Sequence, residues 1–208
     1  MRQYDLGFIS DEDIFNHVKN TVTQYRRSIN LREFNKNIID PIKLTFDSKI
    51  YGQSMRQTIE SECIRQIDKT NNNRIGYFHQ YLFKYAGNGW EVPDNGDKGG
   101  FDVLNDELHY YVEMKNNPSR MKNSAKRALV VKAFDKLIRD EKATFIVVDM
   151  NNHSSIDLPW KVSMGNDTYC HERLRIMSID KLYDLIFSQS GAYTRICSIL
   201  PLILSDIN

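Results

Sequence analysis

The strongest constraint on the fold is the run Ala143-Thr144-Phe145-Ile146-Val147-Val148-Asp149, which is apolar at successive positions rather than alternate ones. Side chains on a strand alternate between its two faces. A strand apolar on both faces is therefore expected at the centre of a sheet covered on each side. Residues 124–140, just upstream, repeat apolar side chains at helical spacing (Ala125, Leu129, Ala133, Leu137, Ile138) and are basic elsewhere. Before them lie β-like runs at 101–104 and 108–115, joined by the turn Asn105-Asp106-Glu107, and a shorter one at Trp90-Glu91-Val92. That order predicts an α/β fold: a central mixed sheet with an antiparallel hairpin, a crossover helix and flanking helices, not a doubly wound repeat.

The remaining segments are predicted more coarsely. Residues 11–25 begin a set of helical pieces that ends near Asp40-Pro41. Ser54 opens a helix interrupted at Asn71-Asn72-Asn73, and a second one over 75–85 is closed by Gly87-Asn88-Gly89. Strands are expected near 160–163 and 173–177, then a helix capped by Ser178 through 187 and a last helix over 193–204. The 208 residues suit one domain: a helical extension (1–53), a core (54–150) and C-terminal strands and helices (151–208).

The 28 basic and 27 acidic residues nearly cancel, but they are not evenly spread. Residues 86–113 carry Glu91, Asp94, Asp97, Asp102, Asp106, Glu107 and Glu113 against Lys98 alone. Residues 115–139 carry Lys115, Arg120, Lys122, Lys126, Arg127, Lys132, Lys136 and Arg139 against Asp135 alone. These blocks are either solvated faces that pair with each other or an acidic cation site beside a basic surface for a polyanion. With 41% apolar residues the chain is not disordered throughout. No stretch approaches the ~18 apolar residues of a membrane span. The start, with its acidic cluster Asp11-Glu12-Asp13, does not read as a secretory leader. Cys63, Cys170 and Cys197 form no CxxC pair, so reduced thiols in a cytoplasmic protein are expected.

Candidate chemistry lies in Gly100-Phe101-Asp102-Val103 and Val112-Glu113-Met114-Lys115. Alternation puts Glu113 and Lys115 on one strand face. If Asp102 pairs with Tyr111, Asp102 and Glu113 become diagonal neighbours about 7–8 Å apart at the backbone. A one-residue slip would turn Asp102 to the other face. Two carboxylates so placed, with a backbone carbonyl, are hard oxygen ligands suited to Mg²⁺, which keeps waters of its own. Such an ion supports phosphodiester hydrolysis by lowering the pKa of a bound water. An ammonium two residues from a ligand can orient or deprotonate that water and offset developing charge. The pattern [DE]xK recurs at Asp47-Ser48-Lys49 and Asp140-Glu141-Lys142, but only the copy at Glu113 follows an acid-bearing strand.

The order helix, acid-bearing strand, ExK strand, helix, strand resembles the PD-(D/E)xK nuclease superfamily. More closely, Ile75-Gly76-Tyr77-Phe78-His79-Gln80, Gly87-Asn88-Gly89-Trp90-Glu91-Val92-Pro93, Gly100-Phe101-Asp102-Val103 and Tyr111-Val112-Glu113-Met114-Lys115-Asn116 resemble type II restriction endonucleases that cut GGNCC-type sites. His171-Glu172-Arg173 and Met177-Ser178-Ile179-Asp180-Lys181-Leu182-Tyr183 are similar to the C-terminal part of that family. The resemblance implies a homodimer that cleaves palindromic double-stranded DNA with Mg²⁺. It also implies a cognate DNA methyltransferase that acts on the same site without being bound.

Carried over by residue, Glu113 and Lys115 fall on the ExK and Asp102 on the acid before it, with Met114 supplying the carbonyl. Asp94, in the literal Pro93-Asp94 pair, and Asp97 lie in a loop where an acid more often serves turn geometry. Glu62 is a candidate further ligand, or a group behind the ligands, with a solvated helix acid as the alternative. Asn117, Arg120, Lys122, Asn123, Ser124, Lys126 and Arg127 follow the lysine directly and are the candidate DNA contacts. Most such contacts reach phosphates. A GG/CC site favours Arg120, Lys122, Lys126 and Arg127 as readers of guanine. Lys132, Lys136 and Arg139 are expected as outer-face charge. The rival functions are a repair or structure-specific nuclease and an inactive DNA-binding module.

Overall fold

The protein is described by a computed structural model covering residues 2–94 and 97–207; Asn95 and Gly96 of the loop before the first strand lie outside the described residues. The chain forms two compact units, one of Met1–Asn16 with Gln80–Asn208 and one of His17–His79.

Helices α2 (Leu31–Phe34) and α3 (Pro41–Ile50), with most of α1 (Asp11–Gln24) and α4 (Met55–Leu82), supply the helical unit. Asp40-Pro41 starts a helix instead of ending one. The Asp40 carboxylate accepts the Ile42 N–H at 2.9 Å, and Pro41 sits in the first turn, where its missing N–H costs nothing. The expected break at Asn71-Asn72-Asn73 is absent, and α4 runs straight through it. Asparagine disrupts helices by competing for their backbone groups, and here the side chains are engaged elsewhere. The buried Asn71 carboxamide accepts the Arg26 N–H at 2.8 Å and donates to the Arg26 carbonyl at 3.0 Å, while Asn72 donates to Asp68 at 2.9 Å.

The other unit is built on strands β1 (Val103–Asn105), β2 (Tyr110–Lys115), β3 (Thr144–Asp149), β4 (Asp157–Pro159), β5 (Val162–Met164), β6 (Asp167–Tyr169) and β7 (Leu174–Ser178). Five of them form one mixed sheet in the order β1-β2-β3-β7-β4. The β2–β3 and β3–β7 pairs are parallel, the outer pairs antiparallel, and β5–β6 is a separate hairpin. Helix α5 (Asn123–Arg139) makes the crossover between parallel β2 and β3 that no short turn could make. Helices α6 (Ile179–Phe187) and α7 (Ala192–Ile207) close the chain. The single strand expected near residue 160 is split into β4 and β5, with the buried Trp160 between them. Trp90-Glu91-Val92 contributes only a bridge between Glu91 and Leu104.

As its sequence demands, β3 lies at the sheet centre with Phe145, Ile146, Val147 and Val148 fully buried. Phe145 and Val147 join Phe101, Leu104 and Tyr111 beneath Leu129, Val130, Ala133 and Leu137 of α5. Helix α6 packs against β3 and β7. Among the described residues no helix is long and apolar enough to cross a membrane, and Cys63, Cys170 and Cys197 are free thiols. Register places Lys115, Asp149 and Ser178 in one row, so the three parallel strands end at the same sheet edge.

Arg173 closes the far end of α5. Its guanidinium donates to the carbonyls of Ala143 at 2.7 Å and Asp140 at 3.1 Å, and more weakly to Leu137 at 3.4 Å. Carbonyls at a helix C-terminus lack intrahelical partners, and a cation there is favoured by the dipole. Arg173→Ala is expected to cost about 1–3 kcal/mol, the price of leaving such acceptors unpaired. Urea titration should show a lower midpoint at unchanged slope.

Candidate active site

The hairpin pairs Val103 with Val112 and Leu104 with Tyr111, so its register is displaced from the expected pairing of Asp102 with Tyr111. Asp102 stands just outside the ladder. The cause is the turn: Asn105 pairs with Tyr110, so four residues (106–109) join the strands, with His109 at φ 59°, where the expected pairing needs a turn of two. The Asp102 N–H donates to the Val112 carbonyl at 3.0 Å, and its Oδ2 accepts the Met114 N–H at 2.7 Å. Asp102 thus meets β2 at its edge, not diagonally across a strand face.

Glu113 is only 6% exposed although it carries a carboxylate. The Lys115 ammonium lies 2.6 Å from Glu113 Oε2 and 3.7 Å from Asp102 Oδ2, so one Nζ draws the two acids together. Glu113 Oε1 is ion-paired with Lys132, which reaches in from α5, donates to the Gly100 carbonyl at 2.8 Å and lies 4.3 Å from the Phe101 ring centroid. Burial raises the Asp102 carboxyl above its ordinary value. The nearby Glu113 charge adds to this, while the Met114 amide, Lys115 and Lys132 oppose it.

Lys132 was expected to be outer-face charge, and that reading is overturned. It follows buried Leu129 by three positions and precedes Lys136 by four, which places it on the inner stripe of α5. That spacing was legible; the carboxylate at the end of its reach was not. Lys136 also turns inward, 3.7 Å from the Tyr111 ring centroid, whereas Arg139 pairs with Asp135 in solvent.

In a strand, the N–H and C=O of one residue point to the same neighbour. Because the Met114 N–H meets Asp102, its carbonyl faces the same edge, beside the acid. Asp102, Glu113 and the Met114 carbonyl are hard oxygen donors of the kind Mg²⁺ takes while keeping several waters. Among the described residues no group of three or more His, Cys, Asp or Glu side chains could hold a metal.

The other candidates separate by their surroundings. Asp94 is exposed, and its carbonyl accepts the Asp97 N–H at 3.0 Å, a turn contact. Glu62 belongs to the helical unit; its carboxylate accepts two hydrogen bonds from Arg65, at 2.7 and 2.5 Å, and one from Gln66 at 3.1 Å. Asn117 caps the short turn Pro118–Arg120 by accepting the Arg120 N–H at 3.2 Å, and Lys126 donates to the Ser119 carbonyl at 2.8 Å. Both therefore shape the loop after Lys115. Arg120, Lys122, Asn123, Ser124 and Arg127 are exposed on that loop and the first turns of α5.

The family model for Eco47II restriction endonuclease matches residues 6–208 of this chain. The chain is 26% identical over 215 residues to the type II restriction enzyme Sau96I of Staphylococcus aureus, covering 97% of this chain and 80% of that protein. It is 30% identical over 208 residues to the type II restriction enzyme Eco47II of Escherichia coli, covering 94% of this chain and 85% of that protein. No solved structure matches it significantly.

Proposed function

The chain belongs to the Eco47II restriction endonuclease family, and from that premise we propose that it is a type II restriction endonuclease that hydrolyses double-stranded DNA at a short palindromic GGNCC-type site with Mg²⁺, on a PD-(D/E)xK core. The observation that carries the chemistry is the meeting of Asp102 and Glu113 around the Lys115 ammonium, with the Met114 carbonyl at the same edge. The GGNCC-type site rests on the resemblance of the sequence blocks quoted above.

Asp102, Glu113 and the Met114 carbonyl would hold the metal. Mg²⁺ supplies, when bound, a water acidified toward neutrality and a positive charge beside the scissile phosphate. Lys115 orients the attacking water through its Nζ donors and offsets charge growing on the phosphate oxygens. Two copies of the chain related by a two-fold axis would cut the two strands, since a symmetric dimer mirrors a palindrome. A methyltransferase of the same specificity would protect the host DNA.

The test is digestion of sequenced plasmid or phage DNA by the purified protein, with Mg²⁺ and with EDTA. Discrete Mg²⁺-dependent fragments mapping to GGNCC or a subset are expected. A Mg²⁺-dependent smear would point to a repair or structure-specific nuclease instead, and binding without cleavage to an inactive module.

A second expectation concerns the loop and α5. Lys122→Ala and Arg127→Ala, if their side chains meet phosphates, each lower the steepness of log affinity against log salt by about 0.9 and weaken cognate and random duplexes alike. A residue that reads guanine would instead cost about 1–3 kcal/mol on the cognate site alone. Fluorescence anisotropy with Ca²⁺ across a salt series separates the two.

A further inference from the structure

Lys132 is a second lysine at the carboxylates, and the general pattern of an ExK strand does not ask for it. Its Nζ has two partners that belong to different segments. One is Glu113 Oε1 on β2; the other is the Gly100 carbonyl, 2.8 Å away and two residues before Asp102. Gly100 presents that carbonyl from a backbone at φ 68°, following Gly99 at 78°. The Phe101 ring, buried between these groups, adds a cation–π contact to the same ammonium at 4.3 Å. The β1–β2 ladder begins only at Val103, so it does not hold the segment that carries Asp102. Outside the ladder, the approach to Asp102 is secured to β2 by the Asp102 N–H, by the Asp102 carboxylate and, from the opposite side, by Lys132.

We propose that Lys132 is a positioning residue: by gripping Glu113 and the Gly100 carbonyl together from α5, it sets the spacing of the Asp102 and Glu113 carboxylates. It rests on the nuclease reading for its consequence in catalysis, but the grip itself joins residues of this chain alone. It also ties the catalytic acids to the helix whose first turns carry Lys126 and Arg127, about 14 Å from Asn123 to Lys132 at 1.5 Å per residue. A hydrogen-bonded charge is well suited to this, because losing it leaves both acceptors without a partner.

The test compares wild type with Lys132→Met and Lys132→Arg. The first readout is hydrogen–deuterium exchange of the metal-free proteins. Lys132→Met should speed exchange across residues 100–103 at least tenfold and leave the β3 amides unchanged, while Lys132→Arg, which keeps charge and donors, stays close to wild type. The second is cleavage under single turnover with Mg²⁺. There the maximal rate of Lys132→Met should fall about 30-fold or more at unchanged affinity for duplex DNA measured in EDTA, with recovery in Lys132→Arg. Unchanged exchange at 100–103 overturns the proposal, as does a cleavage loss matched by an equal loss of DNA affinity, which would make Lys132 a phosphate contact. Should Lys132→Met fail to fold, exchange in Lys132→Gln decides by the same criterion. If wild type cleaves no DNA, the nuclease reading fails by itself, and the exchange arm still judges the grip.

Discussion

Lys115→Ala is expected to reduce single-turnover cleavage by about 10³–10⁴-fold while the protein binds duplex DNA as wild type does. The ammonium sits between two acids, 2.6 Å from Glu113 Oε2 and 3.7 Å from Asp102 Oδ2. No other base of the described residues reaches both. In the proposed mechanism, a substitution here removes the donor that orients water and the charge that meets the phosphate, two effects that act on the transition state more than on the bound duplex. Folding should survive, because Glu113 keeps Lys132 on its other oxygen and is not left as an unpaired buried charge. Far-ultraviolet circular dichroism and DNA anisotropy in EDTA provide the controls. Cleavage within tenfold of wild type would remove Lys115 from the mechanism.

Phe145→Ala should have the largest effect on stability, about 3–5 kcal/mol, as is usual for removing a fully buried aromatic ring. Phe145 has no exposed surface, lies on the central strand and meets the Phe101 ring edge-on at 5.9 Å. Whole domains are stable by about 5–15 kcal/mol, so a loss of this size leaves the sheet near its unfolding threshold. The effect should extend to the site, since Phe101 is the neighbour of Asp102 and its ring lies against the Lys132 ammonium. Ile138→Ala on α5 is the contrast: expected on the buried stripe of that helix, Ile138 is 77% exposed, and its loss should stay within about 0.5 kcal/mol. Guanidinium unfolding of the two variants, with tyrosine and tryptophan fluorescence as the probe, checks both. Equal midpoints would mean that β3 is not the core it is taken to be.

The central strand and the crossover helix were legible because each is a local periodicity. Phe145 to Val148 are apolar on both faces whatever the rest of the chain does, and Leu129, Ala133 and Leu137 mark one side of α5. Glu113 and Lys115 share a face by strand alternation alone. The errors have equally specific causes. Asn71 looks like a helix breaker until Arg26, 45 residues earlier, takes up its carboxamide. Asp40-Pro41 is punctuation that serves a helix start as well as an end. The hairpin register differs because it depends on the length of the turn after Asn105, four residues and not two, and the strands themselves do not specify that length.

By itself, then, the sequence determined what short-range stereochemistry decides: where the central strand and its crossover helix lie, which face of β2 carries the acid and the lysine, and which family the ordered blocks resemble. Only the tertiary structure decided what those groups meet. Asp102 reaches the Met114 amide, and Lys132 crosses from a helix 19 residues beyond Glu113 to hold it, because the parallel β2–β3 pairing lays α5 over that face. Contacts of that kind depend on register and on chain crossovers. A side chain's own neighbours in sequence carry no information about them, so a lysine that reads as solvated charge comes to pair with a buried carboxylate on another element.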